Sequence, residues 1–336
     1  MPVANRFNLV DEPWISVAGY GLVSLAEIFS NAGLASLGGN PIQKIALLKL
    51  LLAIAQTAYT PKDDADWEQL GADGMAEKCL KYLNDKKDLF WLYGEKPFLQ
   101  MTSISDAEIQ PFGALQVYVA TGNTTVLTQS QIETNLRDAD KALLVIQMMG
   151  FPLGGKKTDN GIVLSLEYKG KVNEKGKPST GKPGPSIGFM GFLHSFLLGE
   201  TLRETLWLNL FTTENIAELK IFPEYLGLAP WEKMPAGEDC SVAKKLKNSY
   251  LGRLVPLARF VLLEDAGMHY SEGILHASYA EGITDPSVAV DFSKAKPKVI
   301  WTDPERRPWR QLTAVLSFFE SSSLQGFDCV QLRVGI

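Results

Sequence analysis

Histidine and cysteine are scarce in this chain, three of each among 336 residues. The cysteines, Cys79, Cys240 and Cys329, stand far apart and show no paired spacing. That excludes a disulfide framework and a zinc-ligand set, and it fits a reducing compartment. No cysteine stands beside a histidine. There is no Walker loop, no nucleophile elbow, no dinucleotide fingerprint and no HExxH. The N-terminus lacks a basic stretch leading into an apolar one, so no secretory signal is expected. The most apolar run, Ile45 to Tyr59, is interrupted by Lys49 and Gln56 and reads as too short to span a bilayer. A net charge of −5 excludes a globally basic nucleic-acid binder. These absences predict a soluble, cytoplasmic, non-catalytic protein with no cofactor and no membrane partner.

What is present is an uneven distribution of charge. Gly150-Phe151-Pro152-Leu153-Gly154-Gly155-Lys156-Lys157 is a glycine-framed turn that runs into lysines. From Phe151 to Pro185 there are seven lysines against three acids, so this strip is +4 and the remainder −9. Glycines let a backbone approach a partner closely, and lysines beside them attract phosphate. The segment from about 155 to 185 is rich in Lys, Gly and Pro and reads as an exposed loop. A solvated lysine loop would have the same composition. Lys294, Lys296 and Lys298 alternate, as on the open face of a strand.

In chain order, Phe7 to Val17 predicts two short strands around Glu12-Pro13. Ser24 with Glu27 marks a helix start. Pro41 opens a helix over Ile42 to Tyr59, apolar on most sides. Asp63, Asp64 and Asp66 suit a helix N-terminus, with a further helix from Met75 to Asn84. Leu89 to Tyr93 is an aromatic run expected in the core. Asp138 to Met149 is a helix that runs into the glycine turn. Gly161 to Leu166 predicts a strand, and Ile187 to Leu210 a helix that includes His194. Leu254 to Leu263 reads as strands around Pro256, and Lys244 to Lys247 as helical. Pro308 leads a helix, and Asp328 to Ile336 reads as a strand. There is no internal repeat.

A catalytic alternative rests on His269 and His276 near Glu264, Asp265 and Glu272, a set that a metal-dependent nuclease would use. A third reading is a structural adaptor whose lysine loop only confers solubility.

Five stretches in order resemble one family. They are Asn8-Leu9-Val10-Asp11-Glu12-Pro13-Trp14-Ile15; Leu52-Ala53-Ile54-Ala55-Gln56-Thr57-Ala58 with Thr60-Pro61-Lys62-Asp63-Asp64; Glu95-Lys96-Pro97-Phe98-Leu99-Gln100-Met101; Gly150 to Gly155; and Pro308-Trp309-Arg310-Gln311. Together they resemble the CasA family, the large subunit of the type I-E CRISPR Cascade complex, across essentially the whole chain. The resemblance implies an α+β fold, a single large mixed α/β domain over 1–336 of the CasA N-terminal type. It implies a non-catalytic subunit in antiviral defence that binds the crRNA 5′ end and recognises the protospacer-adjacent motif (PAM) of double-stranded target DNA. Its partners would be the other Cascade subunits and the effector nuclease-helicase. By position, the crRNA loop maps to Ala120–Thr125 and so to Thr121, Gly122, Asn123 and Thr124. The DNA-facing glycine loop maps to Gly150, Gly154 and Gly155, flanked by Lys156 and Lys157, and a basic patch to Lys294 and Lys296. A minor-groove lysine of the family has no clear match, the nearest residue being His276. In the family a Gln-bearing wedge and a C-terminal four-helix bundle follow the last strand. The chain stops at about that strand, so both are expected to be absent from it.

Overall fold

Asn40 and Gln43 start the helix that most of the protein packs around. The Asn40 side chain accepts from the Gln43 amide at 3.0 Å while the Gln43 side chain accepts from the Asn40 amide at 3.2 Å. Pro41 fills the first helical position, where no donor is lost. In the computed structural model, which describes residues 4–115, 135–150, 158–159, 161–165, 191–277, 279, 283–293, 295–302 and 327–335, this helix (α2) runs from Pro41 to Ala58. Before it come strands β1 (Arg6–Asn8), β2 (Ile15–Val17) and β3 (Gly21–Val23) and helix α1 (Leu25–Ser30), capped by Ser24 as its sequence predicts. After it come α3 (Asp64–Asp85), β4 (Trp91–Tyr93), β5 (Ile109–Pro111) and α4 (Asp138–Gly150).

Ala46 to Gln56 are all buried, because α2 packs against α3, α4 and two later helices, α5 (Leu202–Leu208) and α8 (Tyr250–Leu254). Its length and composition would also let it cross a bilayer, contrary to the sequence expectation, but here it lies inside the fold. Lys49 marks the difference. Its ammonium is buried 2.6 Å from the Asp285 carboxylate, which also accepts from the amide and hydroxyl of Ser287. Burial alone would raise the Asp285 pKa. Lys49, with His194 and the Ser287 hydroxyl, outweighs burial and holds it at about 2.

α3 opens as its acids predict, with Asp63 accepting from the Asp66 amide. The two helical pieces legible in the sequence meet at a kink at Gly71, which is itself not helical and whose φ of 60° suits a residue without Cβ. The aromatic run lies in the core as expected: Phe90 and Leu92 are buried, and Phe90 stacks on Phe98 beside Trp231.

The remaining elements are α6 (Thr213–Leu219), α7 (Ser241–Lys247), β6 (Arg259–Leu263), β7 (Gly267–Glu272), β8 (Val290–Asp291), β9 (Lys298–Val299), β10 (Phe327–Asp328) and α9 (Val330–Val334). The sheets are small and antiparallel: β1–β4, β2–β3, β5–β7–β6 and β10–β8–β9. The fold is therefore α+β, with short sheets set around a helical core.

Four expectations are corrected. Residues 191–199 are not helical. Phe192 bridges Trp301 and His194 bridges Val288, so the segment's amides are used by distant chain, and helix is confined to α5. Residues 161–165 form no strand, because the Leu164 and Ser165 amides donate to the Glu238 carboxylate. Pro256 follows a short helix, α8, and only β6 beyond it is a strand. After Asp328 the chain turns helical, and the Gln331 amide donates to the Pro286 carbonyl.

Candidate nucleic-acid interface

Helix α4 lies between the two predicted loops, and each of its ends is tied down differently. At the N-terminal end, Asp138 accepts from Arg6 and from the Tyr93 hydroxyl, both at 2.7 Å, and the Arg6 guanidinium lies 3.8 Å over the Tyr93 ring. Burial, reinforced by Asp138, raises the Tyr93 pKa, so the phenol stays a donor. Lys141 donates to the Asp265 carbonyl and lies 5.0 Å over the Phe112 ring. Phe112 belongs to a single 3₁₀ turn, Phe112–Leu115, the last described residues before the expected crRNA loop. Both stems of that loop are therefore held at the start of α4.

At the C-terminal end, the Ala258 amide donates to the Met149 carbonyl. Gly150 is the last residue of α4 and is buried, so it sits in the helix rather than in the turn. A Cβ there would meet only Pro256 Cδ at 3.9 Å, an ordinary contact, so steric space does not demand glycine at this position. On the far side of the turn, Thr158 accepts from Arg259, and the Asp159 amide donates to the Tyr270 carbonyl at 2.9 Å. Asp159 bridges Ser271 in parallel, extending along β7 past the end of β5. Its carboxylate accepts from the Glu108 and Gly161 amides. Arg259 also faces Glu272 at 3.5 Å, both buried. The stems of the two loops thus leave opposite ends of one helix, Asp138–Gly150, about 18 Å apart at 1.5 Å per residue.

Gly154, Gly155, Lys156 and Lys157 lie outside the described residues, as do Thr121, Gly122, Asn123, Thr124 and Lys294. So do most of the lysine strip and the Pro308 helix. Lys296 is described and exposed, just before β9, where Lys298 is also exposed and faces Asp291 across the sheet. Glu238 is a residue that sequence reasoning missed. It is buried, and it fixes the chain within the basic strip through the Leu164 and Ser165 amides. Nothing in its Ala-Gly-Glu-Asp setting announces that role.

The histidines do not assemble a site. His269, on β7, the middle strand of its sheet, has Nδ1 2.7 Å from the Ala107 carbonyl and Nε2 3.3 Å from Glu264. His276 donates from Nε2 to the Pro256 carbonyl at 2.7 Å and is buried. Burial pushes its pKa down to about 4, against the pull of the Pro256 carbonyl, with Arg253, Lys247 and Lys49 lowering it further. A buried neutral imidazole cannot stand in for a minor-groove lysine. Glu272 is taken by Arg259. Among the described residues no three His, Cys, Asp or Glu side chains converge as metal ligands. His194 is half-buried in extended chain, its Nδ1 2.9 Å from the Ser287 hydroxyl.

The profile of the family described as CRISPR-associated protein Cse1 matches residues 8–331. The chain belongs to the Cse1 family. A curated relative, the CRISPR-associated protein CasA/Cse1 of Thermus thermophilus, is 29% identical over 342 aligned positions, which take in 93% of this chain and 60% of that protein. Among solved structures, Thermobifida fusca Cse1 superposes with a TM-score of 0.70 at 22% identity, over 92% of this chain and 60% of that one. Thermus thermophilus CasA gives 0.68 at 25% identity, over 97% and 63%. A chain of a structure described as a CRISPR RNA-guided surveillance complex gives 0.72 at 18%, over 98% and 68%. The chain therefore spans about 60% of the length of its first Cse1 relatives. The α+β architecture is the one these Cse1 structures share with it over nearly all its residues.

Proposed function

We propose that this chain acts as a non-catalytic subunit of a type I-E crRNA-guided surveillance complex in the cytoplasm, where it binds the crRNA 5′ end and reads the PAM of double-stranded target DNA. The family match over residues 8–331 carries the reading. The anchoring of α4 supports its division of labour. The crRNA loop expected at Ala120–Thr125 precedes the start of the helix in the sequence and would take the crRNA end. The glycine turn expected at Gly150, Gly154 and Gly155 follows on from the end of the helix in the sequence and would meet the duplex. A glycine turn can enter a narrow minor groove whose edge pattern is degenerate, and can read its shape and a few acceptors through backbone groups. Lys156 and Lys157 beside it add affinity for phosphate without regard to sequence. The crRNA, the other Cascade subunits and the effector nuclease-helicase are the partners of this reading.

Co-expression with crRNA and the remaining subunits tests it. The chain should co-purify with the ribonucleoprotein, and the loaded complex should shift PAM-bearing duplex in preference to a PAM-scrambled one. Gly155→Asp, which puts an anion against the backbone phosphates, should weaken that shift about tenfold or more. Absence of the chain from the purified ribonucleoprotein, or duplex binding indifferent to Gly155→Asp, would overturn the reading.

A further inference from the structure

Pro256, Leu257, Ala258 and Arg259 lead into β6, and each of the four is bonded to a partner elsewhere in the chain. The Pro256 carbonyl accepts from His276 Nε2 at 2.7 Å, and the Leu257 carbonyl accepts from the Ile274 amide at 2.8 Å. A Cβ on Gly273 would run into the Leu257 carbonyl oxygen and the Ala258 carbonyl carbon, so the chain leaving β7 lies close against this stretch. Leu257 takes a φ of 43°, in the left-handed region where a leucine is strained by about 1–2 kcal/mol. Such a conformation persists only where its surroundings over-determine it.

The other two bonds of this stretch go to the two sides of one turn. The Ala258 amide donates to the Met149 carbonyl at 2.8 Å, just before the glycine turn. Arg259 donates from Nε to the hydroxyl of buried Thr158 at 3.2 Å, just after it. Arg259 is itself buried, and its guanidinium is aimed by the Ala258 carbonyl at 2.9 Å and by Glu272 at 3.5 Å. Extended chain could separate Met149 from Thr158 by about 30 Å, yet two consecutive residues hold them both. A probe whose ends are fixed before it meets a narrow groove loses less freedom on binding. We infer that Arg259, acting through Thr158, is a positioning residue for PAM reading: together with Ala258 it clamps the two ends of the glycine turn. The inference rests on the proposed function and adds which residues of the body hold the turn.

The test compares Thr158→Val and Thr158→Ser in the co-expressed, crRNA-loaded complex. Valine keeps the shape of threonine but removes the acceptor of the Arg259 bond, whereas serine keeps the hydroxyl. Thr158→Val should lower the preference for PAM-bearing over PAM-scrambled duplex about tenfold. Thr158→Ser should keep the preference of the unsubstituted complex. The slope of log K against log salt should be unchanged in both, because no lysine is lost, and both chains should be recovered with crRNA at the unsubstituted level. An unchanged PAM preference in Thr158→Val would overturn the inference, and so would a loss that Thr158→Ser shares. A flatter salt slope or poor recovery with crRNA would also overturn it, since Thr158 would then serve phosphate contact or the fold alone. The two proposals fail separately. If the unsubstituted complex shows no PAM preference, the functional reading falls. If it does and Thr158→Val matches it, only the clamp falls.

Discussion

Lys49 lies in the middle of a helix that is otherwise apolar along most of its buried length, with the Asp285 carboxylate as its ion-pair partner there. Removing one partner of such a pair strands the other. Lys49→Met should therefore cost about 3–5 kcal/mol in urea unfolding, and the double variant Lys49→Met/Asp285→Asn distinctly less, because no buried charge remains. Acid should act on the protein in two windows. His276 is neutral in the fold with its pKa near 4, against an ordinary value of 6.5. The unfolded chain takes up that proton first, so stability is lost as pH falls from 6.5 to 4, by about 3 kcal/mol at 1.36 kcal/mol per unit. Asp285 has its pKa depressed from 3.8 to about 2, so its contribution is present above 3.8 and is lost as pH falls through 2. Melting temperature followed against pH should decline in both windows, and His276→Gln should flatten the upper one while leaving the lower in place.

At the scale of elements, the Trp67–Trp207 pair clasps α3 to α5 through a stack and two reciprocal hydrogen bonds. Trp207→Ala should cost about 3 kcal/mol, and Trp207→Phe, which keeps a ring but loses one donor, about 1 kcal/mol more than a neutral surface change. Both are read by denaturant midpoint. Gly252→Ala should be worse, since a Cβ there would run into the Leu246 carbonyl where α7 and α8 meet. The elements legible in the sequence are those with local causes. The Ser24 cap, Pro41, the acids before Asp66 and the period of α4 each act within a turn of the residues they organise. Residues 191–199 differ from their expected helix because their apolar residues have no local signature that separates helix from strand, and what decides is pairing with Val288 and Trp301 about a hundred positions away. The strand expected at 161–166 fails for a similar reason, a distant carboxylate taking its amides. Of the candidate site, the two loops are placed only by order along the chain, and most of their residues lie outside the described ones. That one helix holds both pairs of stems is not legible in that order, because Arg6, Tyr93 and Ala258 reach α4 from remote segments.

Over the whole molecule, charge is sorted. The strip from 151 to 185 is basic, at +4, and the remainder acidic, at −9. Duplex binding should accordingly be salt-sensitive, and Lys156→Ala/Lys157→Ala should reduce the slope of log K against log salt by about 2 while leaving PAM preference intact. Titrating salt in the duplex-shift measurement checks this.

The buried ion pair has a further consequence in time. Lys49 and Asp285 are 236 positions apart. A ribosome adding about 5–20 residues per second makes Lys49 roughly 10–50 s before its partner exists. Through that interval the central helix holds Lys49 without the Asp285 carboxylate, and the compact core has reason to wait. Nascent chains arrested before residue 285 should stay open to protease along α2, and those arrested far enough past it for Asp285 to clear the exit tunnel should become resistant. Closure around α2 is expected to follow the synthesis of the helix itself by that interval.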